Sequence, residues 1–290
     1  MVSKMKLLML SDVHQFGGKW RQLFDAVVAK KPKITAIAGD LYPKDKGIRC
    51  QVNFIPKLRK YAEKIREYSE LVFITGNDDN SLTLPAIEQG EKDGLWHCVN
   101  DKVARIKGLD FAGCPWVPDY PFGYKYWTTR ESPECSRICP TQYGDPVILN
   151  ENNKWETIND LKTYFRSKKS ILEHLEETAE KIEDPKRTIW LIHAPPANLG
   201  LDVCAHGERV GSYAILKFLK DFQPLLSFHG HIHESPEYNG HKWVQKLDNT
   251  FCVQPGQLDR KLYYVEVEIV KGKISGMKHS IYGESRYEFS

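Results

Sequence analysis

One stretch of the sequence predicts the fold, KLLMLSDVH at residues 6–14. It begins with a short and mostly apolar run from Lys6 to Leu10, which is typical of a buried strand. Asp12 and His14 follow directly, separated by one residue. Alternate side chains on an extended backbone point the same way, so both can reach the same site. The stretch therefore predicts a strand that ends in a pair of polar ligands.

Four further apolar runs end in the same manner. Predicted strands cover residues 34–38, 71–75, 188–192 and 225–228, and they are followed in turn by Gly39-Asp40, Gly76-Asn77-Asp78-Asp79, His193-Ala194-Pro195-Pro196 and Gly230-His231-Ile232-His233. Each motif is weak alone, because Gly-Asp and Gly-Asn-Asp also form ordinary turns. Ligands of open α/β sheets bind outside the carboxyl ends of the strands. Five such ends in one chain therefore predict one shared polar site.

The spacing of apolar residues between these strands indicates how the chain is organised. Helical spacing recurs over residues 20–28, 54–65, 155–183 and 210–222. Strands that alternate with helices predict parallel strands joined by crossover helices. Residues 114–153 are rich in Pro, Gly, Tyr and Trp without a clean period, so we predict an irregular insertion there. Antiparallel strands are predicted from residue 251 to residue 277, and we expect a single domain over residues 1–290.

Composition bounds the class of protein. With 41% hydrophobic residues, the 290-residue chain can bury a sizeable core. Its net charge of +3 argues against nucleic acid and membrane surfaces as partners. The seven cysteines include no Cys-x-x-Cys pair, and the N-terminal residues lack the features of a signal peptide. We therefore expect reduced thiols and a cytoplasmic protein, and the sequence does not predict an oligomeric state.

The ordered motifs resemble those of the calcineurin-like metallophosphoesterase superfamily. The resemblance runs from Lys6 to about Gly256, and residues 116–130, 229–235 and 253–257 are similar to a poorly characterised microbial branch. It implies a four-layer α/β/β/α sandwich of two mixed sheets flanked by helices. It also implies two divalent metal ions about 3.5–4 Å apart. The ions expected from the donor types are Mn, Fe, Zn, Ni or Co, with Mn favoured.

The same resemblance assigns ligands and a reaction. It implies that Asp12, His14 and His233 bind one metal, that Asp40 bridges both, and that the other metal is bound by Asn77, His193 and His231. A water or hydroxide between the metals would then hydrolyse a small phosphate ester, such as a nucleotide. Phosphodiesterase and phosphatase activities are both open. A nuclease and a metal- or nucleotide-binding regulatory protein with little turnover are the alternatives.

Two positions depart from the family pattern. Asp78 stands where the family often has a His that acts as an acid or orients the phosphate. Asp78, Asp79 or a metal-bound water could protonate the leaving group, although Asp79 could instead hold a ligand His in its tautomer, which we favour. Pro43 stands where the family often has an Asp three residues after the bridging carboxylate. Asp45 is a candidate to supply that missing contact.

Other polar and aromatic residues have two interpretations. Four basic residues could grip the substrate phosphate or be solvated surface charges: Lys125, Arg130, His206 and Arg209. The aromatic residues between 116 and 127 could stack on nucleobases, but we expect them to pack the insertion onto the body. We expect His229 to face away from the metals, and four histidines to be structural or on the surface: His97, His174, His241 and His279.

Overall fold

The computed structural model describes residues 4–14, 18–44 and 48–289. Its strands are β1 (Lys4–Leu10), β2 (Ile34–Ala38), β3 (Glu70–Ile74), β4 (His97–Cys98), β5 (Val103–Ile106), β6 (Leu109–Cys114), β7 (Phe122–Tyr124), β8 (Tyr143–Leu149), β9 (Trp155–Thr157), β10 (Thr188–Ile192), β11 (Leu226–Phe228), β12 (Val244–Leu247), β13 (Thr250–Val253), β14 (Val265–Val270), β15 (Lys273–His279) and β16 (Gly283–Glu284). Its α-helices are α1 (Lys19–Lys30), α2 (Ile48–Arg66), α3 (Leu84–Lys92), α4 (Leu161–Arg166), α5 (Ile171–Ala179), α6 (Tyr213–Phe222) and α7 (Ser235–Tyr238).

The five strands predicted to precede polar motifs are all present. β2 and β10 have the predicted bounds, and β1, β3 and β11 differ from the prediction by one or two residues at one or both ends. Local sequence predicts them well because each is a short apolar run that is buried on both faces for most of its length.

The first sheet has seven strands in the order β16-β15-β14-β1-β2-β3-β4. β1 to β4 are parallel, whereas β14 pairs with β1 in the antiparallel sense. β14 and β15 form the predicted hairpin at Lys271 and Gly272, both of which have positive φ. Two such residues are typical of a type I′ turn.

The second sheet has six strands in the order β12-β13-β11-β10-β6-β5. Its four central strands, from β13 to β6, are parallel, and the two edge strands are antiparallel to their neighbours. Both large sheets are therefore mixed.

The two sheets pack face to face, and helices cover their outer faces. Met9 and Ala36 of the first sheet share one buried cluster with Phe111 and Leu191 of the second. A second cluster packs α1, α2 and α3 against the other face of the first sheet. A third cluster packs α5 and α6 against the other face of the second sheet. The four layers are helix, sheet, sheet and helix, which confirms the predicted fold class.

The insertion is more regular than its sequence indicates. β7, β8 and β9 form a small third sheet in that order. The segment 155–183, predicted to be helical, begins instead with the strand β9, and its helices are α4 and α5. Strand β9 is exposed along its length, so it has no buried face to give it a strand period.

Within the described residues, no helix combines the length and the apolarity that crossing a membrane requires.

Candidate metal centre

Polar residues from both large sheets meet beyond the carboxyl ends of the central strands. The first sheet contributes four after β1, β2 and β3, and the second sheet three after β10 and β11: Asp12, His14, Asp40 and Asn77, then His193, His231 and His233. Five of the seven are buried, and the two histidines after β11 are partly exposed. The structure therefore brings together every residue that the resemblance implied as a ligand.

One group of donors lies around Asp40 and β1. Asp12, His14, Asp40 and His233 each offer one ligand atom, and these four atoms lie within 4.8 Å of one another. His14 Nε2 is 3.3 Å from Asp40 Oδ2 and 3.3 Å from His233 Nε2. His233 Nε2 is also 3.4 Å from Asp12 Oδ1. These atoms enclose a space that suits one small cation.

A second group shares Asp40 with the first. The same oxygen, Asp40 Oδ2, lies 3.4 Å from His193 Nε2. Asn77 Oδ1 lies 2.9 Å from His193 Nε2 and 2.7 Å from His231 Nδ1. His193 Nδ1 lies 2.7 Å from the carbonyl of Ala38, so its Nε2 is the atom free to face this group. One carboxylate oxygen therefore stands between two sets of donors.

The spacing and chemistry of these donors fit metal ligation. Ligands that hold one ion at about 2.1 Å lie roughly 3.0–3.4 Å from each other. Three of the distances within the first group, His14 to Asp40, His14 to His233 and His233 to Asp12, are 3.3 to 3.4 Å. Two buried carboxylates, Asp12 and Asp40, lie among the imidazoles. Buried anions need compensating charge, and a cation would supply it.

The backbone holds these side chains in an unusual conformation. Asp12, His14, Asp40 and His231 have φ values of 54°, 44°, 55° and 73°, in the left-handed region. Such residues cost of order 1–3 kcal/mol each and persist where the surrounding structure imposes them. The amide of Asp12 donates to Gly39 O at 3.0 Å, and both oxygens of its carboxylate accept from the amide of His231. The ends of β1, β2 and β11 are thereby tied together.

Gly76 is required by close approach. A Cβ at this position would lie 2.3 Å from Asp40 Oδ1 and 2.6 Å from His193 Cε1. Any side chain would therefore push the shared carboxylate out of the centre.

Burial and the nearby carboxylates shift the pKa values of two imidazoles, His14 and His193, in opposite directions. Burial lowers the pKa of His14 and His193, but Asp40 and the neighbouring carboxylates outweigh it and raise the pKa of each to about 9. Burial raises the pKa of Asp40, but the same imidazoles hold it well below its usual range. Burial and the charge of His193 lower the pKa of His231 to about 3. A bound cation would take the place of the protons on His14 and His193.

Asp79 lies under the centre rather than in it. Its buried carboxylate accepts hydrogen bonds from the amides of Leu41, Tyr42 and Gly76 at 2.9 to 3.1 Å. Burial and the charge of Asp40 raise the pKa of Asp79 to about 7, although the amides oppose this shift. No contact in the described part of the chain joins its carboxylate to a ligand His, so the expectation that Asp79 holds a ligand His or donates a proton stays a prediction. Its contacts with the amides fix the turn after β2, which carries Asp40.

Asp78 forms an ion pair at the mouth of the centre. Its Oδ2 lies 2.7 Å from Lys44 Nζ and 4.0 Å from His14 Nε2. Its amide donates to Asp40 Oδ1 at 2.9 Å. The Asp78 carboxylate is therefore engaged with the Lys44 ammonium group at the mouth of the centre. Asp45, the other acid considered for this region, lies outside the described residues.

Lys125 and Arg130 do not face the centre, which corrects their prediction as phosphate ligands. Lys125 is fully buried, and its Nζ donates to Asp119 Oδ1 at 2.7 Å and to Tyr120 O at 2.6 Å. Arg130 donates to the carbonyls of Phe165 and Lys168. Both cationic side chains are therefore held by contacts that stabilise the insertion. Sequence could not show this, because their partners are set by the fold.

His206 and Arg209 are exposed on the loop between β10 and α6. No recorded side-chain contact ties either residue to the centre, so their role in binding phosphate stays a prediction. The other histidines are placed as expected. His229 is buried, with Nδ1 2.9 Å from Ala194 O, and His279 is buried next to Pro255 O. His97 and His241 are partly exposed, and His174 stacks on Trp116.

Sequence reasoning missed two residues beside the centre. Lys44 follows Asp40 by four residues, but nothing in the local pattern distinguishes it from a surface lysine. Tyr120 stacks on His231 with ring centroids 4.6 Å apart, and its hydroxyl donates to Val210 O. The only signal for Tyr120 was the density of aromatic residues in the insertion.

Comparisons with known proteins agree with this geometry. A family model described as calcineurin-like phosphoesterase matches residues 5–235. No curated protein sequence matches the chain.

Three solved structures show a similar fold. One is 16% identical, with a TM-score of 0.59, over 99% of this chain and 100% of its own. The protein TT1561 of Thermus thermophilus is 14% identical, with a TM-score of 0.52, over 90% of this chain and 94% of its own. GAP50, the anchor in the inner membrane complex of Plasmodium, is 14% identical, with a TM-score of 0.50, over 98% of this chain and 87% of its own. At these identities the likeness concerns the fold alone.

Proposed function

This chain belongs to the calcineurin-like phosphoesterase family, and we propose that it is a two-metal hydrolase of small-molecule phosphate esters. One observation carries the proposal. Asp40 Oδ2 lies 3.3 Å from His14 Nε2 and 3.4 Å from His193 Nε2, so one oxygen serves both groups of donors. An oxygen shared in this way is what a bridging ligand between two cations requires.

Each residue has a task in this proposal. Asp12, His14 and His233 would hold one cation, Asp40 both, and the other would be held by Asn77, His193 and His231. The cations, when bound, supply charge for the phosphoryl oxygens and lower the pKa of the attacking water. Asp79 keeps the loop after β2 in place, and Tyr120 packs on the ring of His231. The protein therefore mainly positions its ligands and shields them from bulk water.

Lys44 is proposed to contact the phosphoryl group. It forms an ion pair with Asp78, and Asp78 occupies the position where the family often has a His. Burial alone lowers the pKa of Lys44, but the charges of Asp78, Asp40 and Asp12 raise it, so the ammonium stays protonated. Asp78 would position this ammonium group at the mouth of the centre. An ester oxygen that develops negative charge could accept its hydrogen bond.

Three finer points of the proposal have separate support. Manganese is favoured because mixed carboxylate and imidazole ligands suit it, although the donors accept Fe, Zn, Ni and Co as well. A cytoplasmic location is supported by seven cysteines that are all free thiols. A single domain over the whole chain is supported by the shared core of the two sheets.

The experiment compares three substrates after metal exchange. The protein is stripped with a chelator, refilled with Mn²⁺ and tested on an aryl phosphodiester, an aryl phosphomonoester and single-stranded DNA. We expect turnover of at least one small ester, loss of that activity on stripping, and two metal ions per chain by elemental analysis.

The outcome separates the candidate functions. Cleavage of DNA in preference to both small esters would establish the nuclease instead. Absence of turnover on all three, with two ions bound, would support the regulatory binding protein. Fewer than two ions in a fully active protein would contradict the two-metal mechanism.

A further inference from the structure

An exposed aromatic pair stands next to the metal centre. Phe122 on β7 is 39% exposed, and Tyr143 on β8 is 68% exposed. Their rings are stacked, with centroids 6.3 Å apart and planes at 25°. The ring of Phe122 also lies 6.0 Å from the ring of His231, at nearly a right angle. The pair therefore extends from the metal centre out to solvent.

The backbone fixes this pair in place. Phe122 and Tyr143 are direct partners in the parallel ladder of β7 and β8. The same ladder is tied to the body close to the site, because Tyr120, two residues before Phe122, stacks on His231. The aromatic surface is therefore held by main-chain hydrogen bonds at a set distance from the centre.

Other aromatic residues of the insertion pack it onto the body of the protein. Trp127 is buried, and its Nε1 donates to Asp79 O at 2.9 Å. Tyr120 is buried, and its hydroxyl donates to Val210 O at 2.6 Å. These contacts already attach the insertion to the body. The exposed faces of Phe122 and Tyr143 are left in water, where large apolar surface is unfavourable unless something covers it.

We propose that Phe122 and Tyr143 bind a planar aromatic ring carried by the alcohol part of the phosphate ester. The substrate is then nucleotide-like, with its phosphate at the metal centre and its base on the aromatic pair. Any nucleobase can stack on an aromatic side chain, because every base has a flat face. This inference rests on the proposed function, because the metal centre places the phosphate.

The test compares two ligands that differ only in the base. Adenosine 5′-monophosphate and ribose 5-phosphate share the same primary phosphate ester. For the Mn²⁺-loaded protein we expect the first to bind at least about tenfold more tightly by calorimetry. We expect kcat/KM to differ in the same direction. Phenyl phosphate is a third arm, which distinguishes a nucleobase from an aryl group attached directly to the phosphate.

Substitutions locate the effect. The double variant Phe122→Leu/Tyr143→Leu removes the flat faces but keeps apolar bulk, and we expect the affinity ratio of the two ligands to fall to near one. Phe122→Tyr keeps a ring, so the ratio should remain within about twofold of the wild-type value. Tyr68→Leu is the matched control, since Tyr68 is 38% exposed at the end of α2 and its ring contacts Phe24 rather than the metal centre.

The outcomes separate this inference from the function on which it rests. Equal affinity for both ligands in the wild type, or an unchanged ratio in the double variant, would overturn the aromatic subsite even if both esters were hydrolysed. Preferential binding that the double variant abolishes, without turnover of any ester, would support the subsite and contradict the hydrolase. Tighter binding of phenyl phosphate than of the nucleotide would contradict a nucleotide-like substrate.

Discussion

Buried charges are arranged differently in the metal centre and in the insertion. In the insertion Lys125 Nζ has Asp119 Oδ1 as its partner at 2.7 Å, and Arg130 has two backbone carbonyls. In the metal centre Asp12 and Asp40 are buried beside imidazoles that also face one another at 3.3 Å. A paired buried charge holds structure together, whereas a buried set of donors that converges on a common space could hold a cation. The residue type alone does not distinguish the two.

The largest effect is expected from the shared carboxylate. Asp40→Asn removes the anionic oxygen that lies between His14 and His193, so both of the proposed cations would lose a ligand. We expect kcat/KM to fall by about 10³-fold or more, beyond the 10–100-fold typical of outer partners of a metal site. Elemental analysis should show loss of bound metal.

The matched control for this prediction is an exposed acid. Asp25→Asn on α1 removes an exposed carboxylate near Arg21, and we expect unchanged metal content and rate. Full metal content and activity in Asp40→Asn would show that Asp40 is not a metal ligand. The proposed difference between the metal centre and the insertion would then be wrong.

In the insertion, we expect the loss of a buried ion pair to lower the free energy of unfolding. Lys125→Met leaves the carboxylate of Asp119 buried with only the amide of Cys139 as a recorded donor, and we expect the free energy of unfolding to fall by about 3 kcal/mol. Denaturant unfolding measures it. The exposed pair of Lys217 and Asp221 is the control, because Lys217→Met should cost less than about 0.5 kcal/mol. If Lys125→Met raised KM without loss of stability, Lys125 would be a substrate ligand after all.

Lys44 combines features of the two regions, because it is an ion-paired charge that lies next to the metal centre. It is paired with Asp78, yet 55% of its side chain is exposed at the mouth of the centre. We expect Lys44→Met to lower kcat/KM by about 10–100-fold with metal content intact, because a charged contact to the phosphoryl group is lost. Lys44→Arg should recover most of the rate. Lys4→Met, which breaks an exposed pair with Glu268, is the control, and an equal effect there would refute the assignment.

The smallest effect concerns a buried histidine that is not one of the proposed metal ligands. Burial lowers the pKa of His279 to about 4, and its Nδ1 accepts from the amides of Ile281 and Tyr282. The neutral form is favoured in the folded state, so its contribution to stability is present above pH 6.5 and is lost as the pH falls towards 4. The free energy of unfolding should drop by about 1.5 kcal/mol between pH 6.5 and pH 5 from this group.

A non-titrating variant isolates that contribution. His279→Gln keeps a donor for Pro255 O, and we expect a shallower dependence of stability on pH over the same range. Identical slopes for the variant and the wild type would show that His279 is protonated in both states or in neither.

The sequence by itself determined the strands and the polar residues that end them. β2 and β10 were predicted to the residue, and the polar residues follow the strand ends as predicted. A buried strand is an apolar run, and the parallel strands of one sheet send their carboxyl ends to one edge. That the edges of the two sheets meet at one site follows from their face-to-face packing and not from strand order.

Only the tertiary structure decided which partner and which surroundings each charge has. Lys125 and Lys44 are both lysines near turns, and nothing local shows that one is buried against Asp119 while the other stands beside Asp78. The same holds for Phe122 and Tyr143, which become partners through a ladder that joins strands 21 residues apart. Partners distant in sequence are set by packing and register, and no periodicity of one segment encodes them.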